Sequence, residues 1–174
     1  SILYHHNPPT QIVQVDEPFS FAPKTIHDKQ LKHRCLKGFN ITPEADYLKS
    51  RKPVLVNDDC KISLAAPSQS MNSYFFKNAD ADEVVFIHQG NGVLKSIYGQ
   101  IRFSYGDYLV IPRGTIYQFN FDDADNRLLI VESSGPITFP TRYRNSFGQL
   151  LEHSPFCERD IRKPVDLETH DEKG

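Results

Sequence analysis

The sequence has no tryptophan, one methionine and three cysteines in 174 residues. Cys35, Cys60 and Cys157 are odd in number, widely spaced and without a CxxC pair. They make neither a disulfide framework nor a zinc site, and they point to a reducing compartment. No run approaches the roughly 18 apolar residues that a membrane span needs. The opening SILYHHNPPT is not a signal peptide, so a cytoplasmic protein without membrane contact is expected. Charge of one sign is also missing: 20 Lys and Arg stand against 22 Asp and Glu, a formal net charge of -2. That balance leaves no basic footprint for nucleic acid. Serine nucleophile elbow, P-loop, dinucleotide fingerprint, internal repeat and low-complexity tract are all absent.

What is present suits one β-rich domain. Aromatic residues are 11%, all Phe and Tyr, and a chain of about 150 residues can bury roughly 70% of its unfolded surface. Residues 1–53 read as an arm and short elements that pack on a barrel. Within them the Gln11–Val15 alternation and Pro8-Pro9 suggest an extended arm or edge strand. The basic block His27–Lys37 (with Lys29, Lys32, His33, Arg34) reads as a solvated face, with an anion site as the sharper alternative. Thr42-Pro43-Glu44 resembles a capped helix start, predicting a short helix to about Lys49 before Arg51-Lys52-Pro53 stops it.

Residues 54–135 carry the regular punctuation. Val54–Val56 and Lys61–Ala65 read as strands around Asn57-Asp58-Asp59. Val84–His88, Val93–Tyr98, Ile101–Ser104, Tyr108–Ile111, Ile116–Phe121 and Leu128–Val131 follow at intervals of about 8–12 residues, the spacing of an antiparallel sandwich or barrel. Gly90-Asn91-Gly92 reads as a hairpin turn, because Gly and Asn tolerate positive φ. Residues 136–174 are broken by Pro136, Pro140, Pro155 and Pro164. They read as an irregular, hydrogen-bonded lid in which Phe147, Leu150, Leu151 and Phe156 pack, and Glu158 and Arg159 pair with neighbours.

Between Asn78 and Phe121 the chain resembles the two motifs of a cupin β-barrel. Glu83 and Gly90 keep the first-motif spacing, and Gly106, Pro112 and Gly114 keep the second. The histidine slot of the second motif holds Tyr117; the paired slots of the first hold Lys77 and Ala79, or Phe76 and Asn78. The resemblance therefore implies a cupin-like antiparallel jelly-roll barrel with its metal ligands replaced. Strand alternation puts Tyr117, Phe119 and Phe121 on one inward face and Glu83, Val85 and Ile87 on another, with Ile116, Gln118, Asn120, Phe86 and His88 opposite. An iron site needs about three converging ligands, whereas a lone inward Glu83 pairs with an arginine or backbone N–H. Glu83, His88 and His153 are the weak metal candidates, and no metal site is assigned. His153 beside Cys157, among Glu152, Glu158 and Asp160, invites a Cys–His nucleophile reading, but adjacency in sequence is not the signature of such pairs. His5-His6 reads as incidental.

The stretches NADADEVVFIHQGNG, YGDYLVIPRGTIYQF and YRNSFGQLLEHSPFCERDIR resemble the amino-terminal part of the homogentisate 1,2-dioxygenase family, and LKGFNITPEADYLKSRKPVLVNDDC and LETHDEKG resemble its bacterial branch. The resemblance implies a two-part cupin subunit that uses Fe(II) and oxygen to open homogentisate to maleylacetoacetate in tyrosine and phenylalanine breakdown, assembled as trimers or hexamers. It places the iron ligands, two histidines and a glutamate, in the carboxy-terminal half. No position in this chain matches them, so no catalytic residue and no cofactor is carried over. A chain lacking the first few dozen residues of such an enzyme and continuing into a catalytic half is the leading expectation. A stand-alone metal-free cupin that binds small molecules or drives oligomerisation is the alternative. A self-sufficient metal enzyme built on Glu83, His88 and His153 is the third.

Overall fold

The computed structural model describes residues 8, 10–20, 22–25 and 32–170. His5, His6, His27, Lys29 and the end of the LETHDEKG tail, on which the sequence reading touched, lie outside the described residues. Nine strands are found among the described residues: β1 (Lys52–Val56), β2 (Cys60–Ala65), β3 (Phe76–Lys77), β4 (Asp82–Gln89), β5 (Gly92–Ser96), β6 (Gly99–Phe103), β7 (Tyr108–Ile111), β8 (Ile116–Phe121) and β9 (Arg127–Ser133). They form two antiparallel sheets. Sheet A runs β1-β2-β9-β4-β7 and sheet B runs β3-β8-β5-β6. The two inner faces meet in a core of Val85, Ile87, Leu109 and Ile130 from sheet A and Leu94, Phe103, Tyr117 and Phe119 from sheet B.

Local chemistry sets the two hairpins. Asn57 accepts the N–H groups of Asp59 and Cys60 with its side-chain oxygen and so turns β1 into β2. Ser96 bonds Gly99 O and Tyr98 N across the β5–β6 turn. The other strand connections pass from one sheet to the other, which is jelly-roll connectivity. This corrects the reading of Gly90-Asn91-Gly92 as a hairpin: β4 pairs with β7 and β9, while β5 pairs with β6 and β8. The glycine serves a crossing instead. Gly90 has φ +107°, and a Cβ there would sit 2.0 Å from Asn126 Oδ1. Asn126 is fully buried and ties the crossing down by donating to the Pro67 and Asp123 carbonyls.

The helix expected from Thr42 is a turn. Asp46 rather than Thr42 accepts the N–H groups of Leu48 and Lys49, and Ser50 N–H closes on Asp46 O. Ala45, at φ 48°, lies outside helical geometry, and its carbonyl accepts from Ser68 and Gln69. Tertiary hydrogen bonds thus override a weak local helix signal. The helical segments among the described residues are single 3₁₀ turns at Gly38–Asn40, Thr141–Tyr143 and Glu158–Asp160. Among the described residues no helix is long and apolar enough to cross a membrane.

The flanks differ in how firmly they are held. In the arm, Ile12, Val13 and Val15 are exposed and outside any strand, and residues 32–37 of the basic block are exposed irregular chain. The C-terminal segment, by contrast, closes the open edge of sheet B: Val165 exchanges backbone hydrogen bonds with Gln100 of β6. Arg162 meets Asp107 at 2.5 Å, and Lys95 meets Glu168 at 3.6 Å. Burial opposes ionisation of Asp107, but the bonds from Arg162 and Ser104 outweigh it and hold the carboxyl below its ordinary range. Within the expected lid, Phe156 packs on Phe139 and Tyr143, and Asn145 bonds Phe147 N and Gln149 N. Phe147 itself is 87% exposed, so it does not pack as expected. Glu158 and Arg159 make no ion pair among the described residues. The turn is pinned by Asp160, which accepts from Cys157 N at 2.8 Å.

The outer face of sheet A is apolar too, which an antiparallel sheet facing water would not be. The strand registers line up two rows across it. One is Tyr108, Phe86, Leu129 and Leu64; the other is Val110, Val84, Val131, Ile62 and Leu55.

Candidate functional site

The two inner faces bring an ionic cluster to one end of the barrel. Glu83 opens the inward face of β4, and Glu132 stands directly opposite it on β9. Both are buried, Glu83 completely. Such carboxylates are costly unless a cation meets them. Arg51 does so, entering from the turn before β1. Its Nη2 lies 2.7 Å from Glu83 Oε1 and its Nη1 3.8 Å from Glu132 Oε1, with only 6% of its side chain exposed. Lys61, the inward neighbour of Glu132 on β2, reaches Glu132 Oε2 at 2.8 Å.

Side chains from the cupin-like ligand slots surround this guanidinium. Tyr117 donates its hydroxyl to Glu83 Oε2 and accepts from Arg51 at 3.3 Å. Asn78 donates to Glu132 Oε1 at 3.1 Å. The Phe76 ring lies 5.7 Å from the guanidinium carbon, and Tyr47 stacks closer, at 4.3 Å. Phe76, Glu83 and Tyr117 therefore meet Arg51, and Asn78 joins the cluster through Glu132. Of the two alignments open in the sequence, Phe76 and Asn78 are the slot residues that reach the cluster.

Electrostatics follow from burial. Desolvation pushes the Tyr117 hydroxyl well above its ordinary value, and the Tyr47 hydroxyl likewise, so both stay protonated. Burial disfavours the Arg51 cation, but the surrounding oxygens of Tyr47, Tyr117, Glu83 and Glu132 outweigh it and hold the guanidinium charged. A cavity of about 610 Å³ opens beside the cluster, lined by Arg51, Glu132, Lys61, Ser63 and Asn78, with Phe19 and Pro23 of the arm at its side.

The candidates named from sequence are not brought together. Glu83 is inside, held by Arg51 and Tyr117. His88 is on the opposite face of β4, exposed between the Phe39 and Phe86 rings. His153 is exposed in the C-terminal segment, and Cys157 is half-buried there with its backbone N–H on Asp160. Among the described residues no three His, Cys, Asp or Glu side chains are grouped as a metal site requires. The donors at the barrel end do not fit an iron ion. Glu83, the carboxylate that keeps its motif position, is neutralised by a guanidinium at 2.7 Å, and a divalent cation there would face that like charge. Sequence reading missed Arg51, taken as a helix stop, and Glu132. Two inward acids on facing strands are the signal that demands such a cation.

Next to this cluster, Asp82 is a structural carboxylate. It accepts the backbone N–H groups of Ile137 at 2.7 Å and Arg113 at 2.8 Å, and these bonds hold its carboxyl below the usual range. A depressed folded-state pKa contributes stability that is present above the unfolded value, near 4, and is lost as pH falls through the folded value. Urea unfolding of the wild type is therefore expected to weaken steadily below about pH 4. Asp82→Ala is expected to lose about 1–2 kcal/mol at neutral pH and to show a shallower acid decline. An acid decline as steep as that of the wild type would contradict the assignment.

Fold and site together define a cupin-like barrel whose ligand positions are occupied by an arginine-centred ion cluster. Residues 41–156 match the homogentisate 1,2-dioxygenase N-terminal family, and the chain belongs to that family. It is 38% identical over all 174 residues to a Saccharolobus solfataricus protein named "Putative dioxygenase SSO1533", of which it spans 44%. Solved structures with similar architecture include a cupin-2 domain protein from Shewanella frigidimarina, with 19% identity, a TM-score of 0.46, and coverage of 55% of this chain and 87% of that one. A protein of unknown function from Streptococcus pyogenes gives 14% identity and a TM-score of 0.48, covering 62% of this chain and 93% of that one.

Proposed function

We propose that this chain is the non-catalytic amino-terminal barrel of a cytoplasmic Fe(II)- and oxygen-dependent enzyme that opens homogentisate to maleylacetoacetate. In this reading the iron and its ligands belong to a carboxy-terminal half, and the barrel supports that half and the contacts of a trimer or hexamer. The observation that carries the reading is the Arg51 cluster: the barrel end where cupin-like slots converge holds a charged guanidinium paired with Glu83 and Glu132 and bonded to Tyr117. Family membership supports the substrate class. Oxygen uptake by the purified 174-residue chain, supplied with Fe(II), ascorbate and homogentisate, is expected to stay at the level of the protein-free control. Homogentisate-dependent uptake in proportion to protein would overturn the reading.

A further inference from the structure

We propose that residues 161–168 form a strap that swings off the edge of sheet B while the barrel stays folded, with Arg162 as its latch. β6 is the outer strand of sheet B, so alternate backbone groups along it point away from β5. The strap meets those groups twice. Gln100 and Val165 exchange both backbone bonds, at 2.6 and 2.8 Å. Two residues along, Arg162 Nη1 donates to Arg102 O at 3.1 Å while its Nη2 pairs with Asp107 at 2.5 Å. A guanidinium thus takes the place of a second strand bond and ties the strap to the β6–β7 connection.

Polar groups rather than buried apolar ones hold the strap. Val165 is 61% exposed, Leu167 56% and Ile161 39%. Lys95 and His170 reach Glu168 at 3.6 and 3.9 Å, and His170 lies against the Phe75 ring. Partly exposed ion pairs of this kind contribute little each, whereas the barrel centre rests on fully buried Val85, Ile87 and Ile130. Asp166, directly after the bridge, sits at φ 52°, a left-handed conformation unfavourable for a residue with a Cβ, and release relieves it. The barrel is nonetheless shaped to receive the strap: a Cβ on Gly99 would lie 2.5 Å from Val165 O. Docked but weakly held, such a segment opens at a fraction of the cost of unfolding the whole. Closed, it covers a sheet edge that would otherwise be free to pair with another extended chain. Ile161, Arg162 and Pro164 also wall a cavity of about 830 Å³ against Tyr108, Val110 and Phe139, so one movement exposes both the edge and the cavity.

Hydrogen exchange of the 174-residue chain, followed residue by residue by NMR, tests the proposal, because the Gln100 amide is bonded to the strap. Corrected for free-peptide rates, that amide is expected to exchange at least about a hundredfold faster than those of Val85 and Ile130 at the barrel centre. Arg162→Met is expected to speed Gln100 about fivefold or more and to leave Val85 and Ile130 at wild-type rates. A Gln100 amide as slow as that of Val85 would overturn the proposal, since the strap would then open only with the barrel. So would an Arg162→Met variant that leaves Gln100 unchanged or speeds all three amides alike.

Discussion

Arg51→Ala is expected to lower the unfolding free energy by about 3–5 kcal/mol, the cost of leaving buried carboxylates without their cation. Glu83 is fully buried, and Arg51 is its only ion-pair partner among the described residues, so truncation strands that charge. Glu132 suffers less, since Lys61 and Asn78 still reach it. Urea unfolding followed by circular dichroism measures the loss, and a change under about 1 kcal/mol would show that the cluster is hydrated and unimportant to the fold. The triple variant Arg51→Met/Glu83→Leu/Tyr117→Phe removes the ion pair together with the hydroxyl that donates to it. Apolar replacement of a whole buried pair is often neutral, so this variant is expected to recover most of the loss. Its failure to do so would mean that the barrel end depends on the charges for more than compensation.

Phe119→Ala is expected to cost a similar amount, about 3–5 kcal/mol, for a different reason. Phe119 is fully buried at the centre of an aromatic cluster, with ring centroids 4.2 Å from Tyr47, 5.5 Å from Phe103 and 5.6 Å from Phe121. Truncation leaves a cavity among stiff rings on paired strands, which cannot collapse to fill it. Phe121, half-buried at the end of β8, should cost clearly less when truncated. Thermal unfolding of the two variants side by side checks the order, and the reverse order would contradict the assignment of Phe119 to the core.

The sequence made these residues legible to different degrees. Strand positions were visible because Gly, Asn and Asp interrupt β-branched and aromatic runs at short intervals. Strand alternation then placed Glu83, Val85, Ile87, Tyr117 and Phe119 inside, where they are found. Pairing partners were not visible: whether Gly90-Asn91 closes a hairpin or crosses between sheets depends on contacts far along the chain, here Asn126 with Pro67. Gln118 was placed on the outward face yet is buried, because the segment before β3 covers it and Tyr74 O accepts its amide. Thr42-Pro43-Glu44 carried a real capping signal, but a helix there would have displaced the bonds of Glu44 and Ala45 to residues 66–69. Arg51 was hidden for the same reason. No local pattern tells an inward arginine from a surface one; only the need of two facing acids does.

The most direct test of the central claim is the iron content of the purified chain after anaerobic incubation with Fe(II) and removal of excess metal. With Arg51 bound between Glu83, Tyr117 and Glu132, far less than one iron per chain is expected, in the wild type and in Glu83→Gln alike. A stoichiometry near one that falls in Glu83→Gln would contradict the account and make the barrel end a metal centre.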